Sequence, residues 1–329
     1  MKNELRFCLV GRGSIGTRHL KNLKSLSCTN IVAFSEFPNK KKDEEFQKRY
    51  DIETLYSLED LRRYNPGAFV IANPTSEHLK VAKMALEMES HIFMEKPISN
   101  TLAGIEELRN GLLGKNIVFF LANNLRFHPA LIKIKQYIED NKFGDVYFAR
   151  IMAGQYLLDW HPWEDYRQSY SARKALGGGV VLTLQHEIDY AYWLFGKFKG
   201  IKSSVKKISN LEIDVEDVAS IIIETESGTF IEIHLDYLQR PPKRTIQVQG
   251  SKGSIDYRFG DESLQFYDFD RQTYNRIHDL NGYDNNQTYI DEMKHFIKCL
   301  SGEERPKSGI EDAVYVLKTC LEIKKEFAR

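Results

Sequence analysis

Gly11, Gly13 and Gly16 stand in G-x-G-x-x-G spacing, directly after the apolar run Phe7 to Val10 and at the mouth of a helical pattern. That spacing suits an anion cradle. One glycine allows a tight turn, the next lets backbone approach a pyrophosphate, and the third lets helix pack on strand, while the first N–H groups of the helix, here near Ser14 and Ile15, face the anion. A purely structural loop can carry the same triplet. Glu36 adds context: it lies twenty residues past Gly16, at the end of the next strand pattern. There a carboxylate accepts hydrogen bonds from a ribose 2′-hydroxyl and repels a 2′-phosphate, so NAD is expected over NADP. Arg12, inside the glycine loop, is a candidate phosphate contact that leaves NADP open.

A second stretch, "GGGVVLTLQHEIDY" from Gly177 to Tyr190, sets a histidine, two acids and a threonine in an otherwise apolar run. Imidazole titrates near neutrality, so His186 suits proton transfer in either direction; a satisfied core histidine is the plainer alternative. On one helix over Gly179 to Leu194, Thr183, His186, Glu187 and Tyr190 share a face at i, i+3, i+4 and i+7.

The elements that must position these residues follow from periodicity. Strand patterns at Phe7–Val10, Ile31–Phe34, Ala68–Ala72, His91–Met94 and Ile117–Leu121 alternate with helical ones at Ile15–Leu26, Lys40–Tyr50, Leu58–Tyr64, His78–Met88 and Leu102–Leu113. Such alternation predicts a parallel sheet covered by helices. From about Phe143, β-branched and aromatic runs separated by turn residues predict an antiparallel sheet, with strands at Val146–Met152, Val218–Glu224, Thr229–Tyr237, Thr245–Gln249 and Ser254–Arg258. Amphipathic helices are expected over Tyr289–Leu300 and Ile310–Phe327. The fold class is therefore α/β, with an N-terminal Rossmann domain over 1–122 and a C-terminal α+β domain with an open, mainly antiparallel sheet over 123–329.

Composition narrows the partner. The 329 residues hold 46 Lys and Arg against 46 Asp and Glu, so no global field favours nucleic acid, and a small molecule is the expected ligand. Cys8, Cys28, Cys299 and Cys320 are far apart with no CxxC pair, which reads as a reduced cytoplasmic chain. No apolar stretch approaches a membrane span and the N-terminal run is too short for a signal core, so neither membrane nor targeting segment is expected.

Two further segments sharpen this. Asn73, Pro74, Thr75 and His78 follow one strand, and Glu95, Lys96 and Pro97 the next. With the glycine loop, "NNLRFHPAL", "WHPWEDYRQSYSARKALGGGV" and "SGIEDAVYVL", they resemble the Gfo/Idh/MocA family of dehydrogenases, named for glucose-fructose oxidoreductase and inositol dehydrogenase. The resemblance covers essentially the whole chain and rests on the order and spacing of the motifs. It implies that the Asn73–His78 and Glu95–Lys96 segments serve the cofactor, that Lys96 is the cation and hydrogen-bond donor at the substrate oxygen, and that His186 is the acid/base. It also implies a homo-oligomer, dimer or tetramer, often built through the open sheet. Independently, a lysine at the carboxyl end of a parallel strand lies where ligands bind such sheets, and Pro97 restricts the backbone beside it.

One position departs from the family. Many members carry an Asp one turn before the histidine; Thr183 stands there, a candidate to orient His186 or, with it, to bind the substrate directly, but unable to supply charge.

The loop "LDWHPWED" holds Asp159, His161, Glu164 and Asp165, but its spacing matches no common metal site, and no metal is expected. Trp160 and Trp163 are candidates for stacking on a sugar or nicotinamide, or for closing the loop. Tyr166 and Arg167 are candidate substrate contacts, the arginine suited to a carboxylate or phosphate. Arg126 and His128 are equally candidates for lining a cleft and for packing.

The expected activity is NAD-dependent oxidation of a secondary alcohol on a sugar, sugar derivative or cyclitol, or the reverse. By resemblance it lies near a bacterial branch often acting on sugars of surface glycans. Two alternatives stay open: a redox-neutral enzyme that recycles bound NAD for epimerisation, elimination or glycoside cleavage, and a non-catalytic NAD- or sugar-binding regulator.

Overall fold

Short apolar runs that leave nothing for water to solvate become the buried strands of the first sheet. The computed structural model describes residues 5–36, 38–160 and 162–327, the side chain of Lys40 aside. In chain order the first elements are β1 (Phe7–Val10), α1 (Ser14–Ser25), β2 (Ile31–Phe34), α2 (Lys40–Tyr50), β3 (Glu53–Leu55), α3 (Leu58–Tyr64), β4 (Ala68–Ile71), α4 (His78–Glu87), β5 (His91–Glu95), α5 (Ile105–Leu112) and β6 (Phe119–Ala122). The strands pair in parallel in the order β3-β2-β1-β4-β5-β6. Phe7 pairs with both Ile31 and Ala68, which sets β1 beside the point where the strand order reverses. In sheets of this kind the carboxyl ends at that point form the ligand crevice.

The doubly-wound sheet expected from the alternating pattern is therefore present. β3, only three residues long, is too short to carry a periodic signal. Helix α5 starts later than its apolar spacing predicts, because Gly104 before it takes a left-handed conformation, φ 80°.

The second series is α6 (Pro129–Glu139), β7 (Val146–Gly154), α7 (Val180–Thr183), α8 (His186–Phe195), β8 (Phe198–Lys206), β9 (Val218–Thr225), β10 (Phe230–Asp236), β11 (Lys243–Gly250), β12 (Gly253–Arg258), β13 (Ser263–Asp268) and β14 (Thr273–Asp279), then α9 (Asn286–Leu300) and α10 (Ile310–Lys324). Eight strands form one sheet in the order β14-β13-β12-β11-β7-β10-β9-β8, antiparallel except that β10 runs parallel to β7. Inward and outward residues alternate: Ala149 and Ile151 of β7, Ile221 and Ile223 of β9, and Ile231 and Ile233 of β10 are buried. Against these strands pack α7 and α8. One buried face and one open face is the alternation expected of such a sheet.

The domain boundary differs in one respect from the expected 1–122 and 123–329. One unit takes the chain up to Asn123 together with Tyr289–Leu317; the other takes Asn124–Thr288 and the chain from Lys318. The return has a packing cause. Phe296 of α9 lies 5.3 Å from Phe93 of β5 and 5.9 Å from Phe120 of β6, ring to ring, so the apolar stripe of α9 covers the parallel sheet. Amphipathic spacing predicts the helix but not which sheet it covers. Among the described residues, no helix is long and apolar enough to cross a membrane.

Candidate active site

The glycine loop has the geometry its spacing predicts. Gly11 has φ +104°, and a Cβ there would stand 2.3 Å from the Ala72 carbonyl, so only glycine fits beside β4. A Cβ on Gly16 would lie 2.0 Å from the Gly11 oxygen. Gly13 is different: a Cβ there would meet nothing within 4 Å, and its exposed backbone precedes the first turn of α1. That first turn holds no acid and no side-chain cap, so its N–H groups, from Ser14 and Ile15 onward, are available to an anion. Across the reversal point, the buried Asn73 Oδ1 has no hydrogen-bond partner. An open glycine backbone, an uncapped helix start and an orphaned acceptor fit a dinucleotide.

Glu36 and Arg12, the residues expected to choose between NAD and NADP, are both paired. Glu36 accepts from Lys80 at 2.5 Å. Arg12 forms an ion pair with Asp43, and its Nη2 donates to Ser35 Oγ at 3.0 Å.

The two loops after β4 and β5 are tied through His78. Its ring is buried, with Nδ1 2.8 Å from the Pro97 carbonyl and Nε2 2.9 Å from the Asn73 carbonyl. Burial holds its pKa below the ordinary value. Neutral imidazole has a single N–H, so His78 donates to one of these carbonyls and packs against the other, between the lysine loop and the loop through Pro74 and the buried Thr75. Lys96 is half-buried and follows Glu95, whose Oε2 accepts the Lys96 N–H at 3.2 Å and whose Oε1 lies 2.6 Å from His19 Nε2. Glu292 of α9 joins them: ligand-type atoms of His19, Glu95 and Glu292 lie within 4.8 Å of one another, all three buried. Ligands of one Zn²⁺-like ion, each about 2.0–2.2 Å from it, stand roughly 3 Å or more apart. His19 and Glu95 are closer than that, in a direct hydrogen bond. Neither oxygen of Glu292 has a hydrogen-bond partner, and burial, with the nearby Glu95 charge, raises its pKa well above the ordinary carboxyl value.

In the other unit, the helix expected over Gly179 to Leu194 is broken. It ends at Thr183 and resumes at His186, so these two do not share one continuous helical face. His186 opens α8 and is half-buried. Thr183 is buried with its Oγ1 2.8 Å from the Tyr237 hydroxyl, which also donates to the Ser171 carbonyl at 3.3 Å. The glycines ahead serve this packing. Gly179, at φ +105°, would place a Cβ 2.3 Å from Glu216 Oε1. Glu216 in turn pairs with Lys324 at 2.7 Å and accepts the Val181 N–H at 3.4 Å.

The remaining polar residues are mostly engaged by other protein groups. Arg126 makes a buried bidentate pair with Asp189, at 2.9 and 2.7 Å. His128 accepts the Ala130 N–H at 3.3 Å as the cap of α6, and burial with the charges of Arg244 and His278 pushes its pKa down to about 4. Both side chains are buried and held by protein groups. Glu187 pairs with Arg244 at 2.8 Å. Trp160 packs edge-on against Tyr237, ring centroids 5.4 Å apart, and donates to the Gln155 carbonyl at 3.2 Å, so it closes its loop. Trp163 is 75 % exposed. The Tyr166 hydroxyl accepts the Glu212 N–H at 3.2 Å. Arg167 is held by Asp165, at 2.9 and 3.0 Å, and lies 3.4 Å from Glu212, so its charge is already matched. Asp159 is paired with Arg240; His161 lies outside the described residues.

Comparison with known proteins decides the family. Residues 5–120 match the family described as "Oxidoreductase family, NAD-binding Rossmann fold", and residues 131–256 match "GFO/IDH/MocA C-terminal domain". The chain belongs to the Gfo/Idh/MocA family. Among similar curated proteins is myo-inositol 2-dehydrogenase of Thermotoga maritima, 26% identical over 95% of this chain and 93% of that protein. Levoglucosan dehydrogenase of Pseudarthrobacter phenanthrenivorans is 33% identical over 57% of this chain and 54% of its own length. A solved levoglucosan dehydrogenase in complex with NADH shares the fold, with TM-score 0.87, 21% identity and coverage of 98% and 97% of the two chains.

Its first domain is the NAD-binding Rossmann fold of this oxidoreductase family. The residues that could hold a dinucleotide are the Gly11–Gly16 loop, Glu36 and the Asn73 loop. Asp43, Lys80, His19 and Glu292 escape sequence reading, because each acts on a motif residue from 31, 44, 76 and 197 positions away. The one local hint was the run of charges in α2, which reads as a solvated face although Asp43 is fully buried.

Proposed function

We propose that the enzyme oxidises a secondary alcohol of a sugar, sugar derivative or cyclitol, or reduces the matching ketone. The observation that carries this is the lysine loop: a half-buried Lys96 at the carboxyl end of β5, its backbone held by Glu95 and its following turn by His78, in an NAD-binding sheet. Support for a polyol comes from the near full-length similarity to an inositol dehydrogenase.

Bound NAD would supply the acceptor for the hydride of the carbinol carbon, leaving this chain's residues to take the hydroxyl proton and stabilise the developing carbonyl oxygen. Lys96 is assigned as the cation and donor that stabilises the oxygen as it gains carbonyl character, and His186 as the group that takes or returns the proton. Thr183 supports its helix through Tyr237 rather than supplying charge. Trp163, 75 % exposed, is assigned as an aromatic for stacking on a sugar ring.

The test is nicotinamide absorbance with NAD and a panel of cyclitols, anhydrosugars, nucleotide sugars and nine-carbon acidic sugars, the last two representing surface-glycan chemistry. Turnover that disappears in Lys96→Ala, with NADH affinity kept, supports the assignment. Cofactor binding with no turnover across the panel counts against it.

The open face of the eight-stranded sheet carries a trough of about 870 Å³, with Met152 and Ile222 set among Arg150, Lys202 and Glu232. A second copy of the chain is the proposed cover, with Met152 and Ile222 at the centre of a largely polar and charged contact. Ile222→Glu should then lower the mass measured by light scattering. The reducing compartment is the proposed location, in keeping with four buried cysteines and no disulfide.

A further inference from the structure

The end of β2 carries four charges in two pairs. Glu36 is matched by Lys80, and Arg12 by Asp43. The guanidinium of Arg12 also bonds Ser35, the residue before Glu36, so it lies at the strand end that meets the adenosine ribose in this fold. An acid at that position selects a free 2′-hydroxyl, whereas a nearby arginine accommodates a 2′-phosphate. This chain carries both groups side by side, and something must decide between them.

Asp43 is that something by its geometry. It is fully buried, while Arg12 keeps 18 % of its side chain exposed. One carboxylate oxygen is taken by Arg12 and the other accepts the Asn39 N–H at 2.9 Å, so the acid is fixed by backbone. A buried, anchored carboxylate loses far less to solvent screening than a surface one and does not release its partner to a mobile anion cheaply. Its charge therefore cancels that of Arg12 where a 2′-phosphate would need it.

We propose that Asp43 is a cofactor-specificity residue: by locking Arg12 it denies the 2′-phosphate its natural ligand, and together with Glu36 it makes the site select NAD over NADP. The inference rests on the NAD-binding reading of the glycine loop. Arg12 and Lys80 are, on this view, phosphate ligands held silent by their acids.

Titrations of nicotinamide fluorescence on the full chain, with NADH and with NADPH, test it without any substrate. Wild type should prefer NADH. Glu36→Gln should raise the NADPH-to-NADH affinity ratio about tenfold by removing a like-charge clash, and adding Asp43→Asn should raise it roughly another tenfold. Adding Arg12→Gln to that pair should take the second gain away. A ratio that Asp43→Asn leaves unchanged, or a gain that survives Arg12→Gln, overturns the proposal. Should Asp43→Asn lose NADH binding as well, the comparison moves to Arg12→Gln with Asp43→Asn on the Glu36→Gln background, which removes both charges of the pair together. A locked Arg12 predicts the same NADPH-to-NADH ratio as Glu36→Gln alone; a fall of several fold means that Arg12 already serves the phosphate and overturns the lock. Wild type binding neither nucleotide overturns the cofactor assignment itself and this inference with it.

Discussion

The hydroxyls of Thr183 and Tyr237 lie 2.8 Å apart, and both side chains are buried. At this position, where the resemblance leads one to expect an acid, the environment suits a hydroxyl. A carboxylate here would be taken out of water, whereas a hydroxyl satisfies Tyr237 at little cost. The residue is thereby drawn into the packing of α7 on the sheet.

A double-mutant cycle reads this pair directly. Thr183→Val leaves the Tyr237 hydroxyl with the Ser171 carbonyl alone, and the loss of one buried hydrogen bond costs about 1 kcal/mol or somewhat more. With Tyr237→Phe in the same background, most of that cost should vanish, giving a coupling near 1 kcal/mol in urea unfolding. A coupling indistinguishable from zero means the contact contributes nothing.

Arg126 and Asp189 make the harsher case, because both charges are buried and each is the other's bidentate partner. Asp189→Ala strands a guanidinium in the interior, at a cost of about 3–5 kcal/mol. Replacing both, Arg126→Met with Asp189→Leu, should recover most of that stability, since a buried ion pair is often no better than an apolar one. Denaturant midpoints of the three variants decide it; a double variant as unstable as the single would show that the pair is needed as a pair.

His128 gives the fold an acid-sensitive limb. Its pKa is pushed down to about 4, from 6.5, first by burial and then by the charges of Arg244 and His278. Between those values the unfolded chain binds a proton that the folded chain refuses. Stability therefore falls as the pH drops below about 6.5, by up to roughly 3 kcal/mol near pH 4. His128→Asn keeps a capping side chain and removes the titration, so its melting temperature should lose less between pH 7 and pH 4.5 than that of wild type. Parallel curves would sink the assignment.

What the sequence disclosed follows a physical line. Gly11, Gly13, Gly16 and Glu36 were legible because their chemistry is local: a turn, an approach and a charge are all encoded within one strand–helix unit. The parallel sheet was legible for the same reason, since uninterrupted apolar runs between amphipathic helices have few other solutions. The partner of Arg126 was not, because Asp189 is 63 residues away. Arg167 looked suited to a substrate carboxylate for want of knowing that Asp165 folds back on it. The break between Thr183 and His186 left no trace in the apolar spacing, which Leu182 and Leu184 carry across it unbroken.

Glu292 supplies the opposite limb to His128. It is fully buried, neither oxygen has a hydrogen-bond partner, and Glu95 and His19 stand close by. Burial first, and the Glu95 charge second, raise its pKa well above the ordinary 4.5. The folded protein thus holds a proton on Glu292 that the unfolded chain gives up above about pH 4.5. More protons bound in the folded state means that stability declines as the pH rises from that value toward the folded pKa. Glu292→Gln preserves shape and polarity but has nothing to titrate. Its melting temperature should therefore exceed that of wild type by a margin that widens from about pH 5 to about pH 9, while NADH affinity at the lower pH stays equal. If the margin stays constant, Glu292 is ionised in the folded protein across this range, and another group must be compensating its charge.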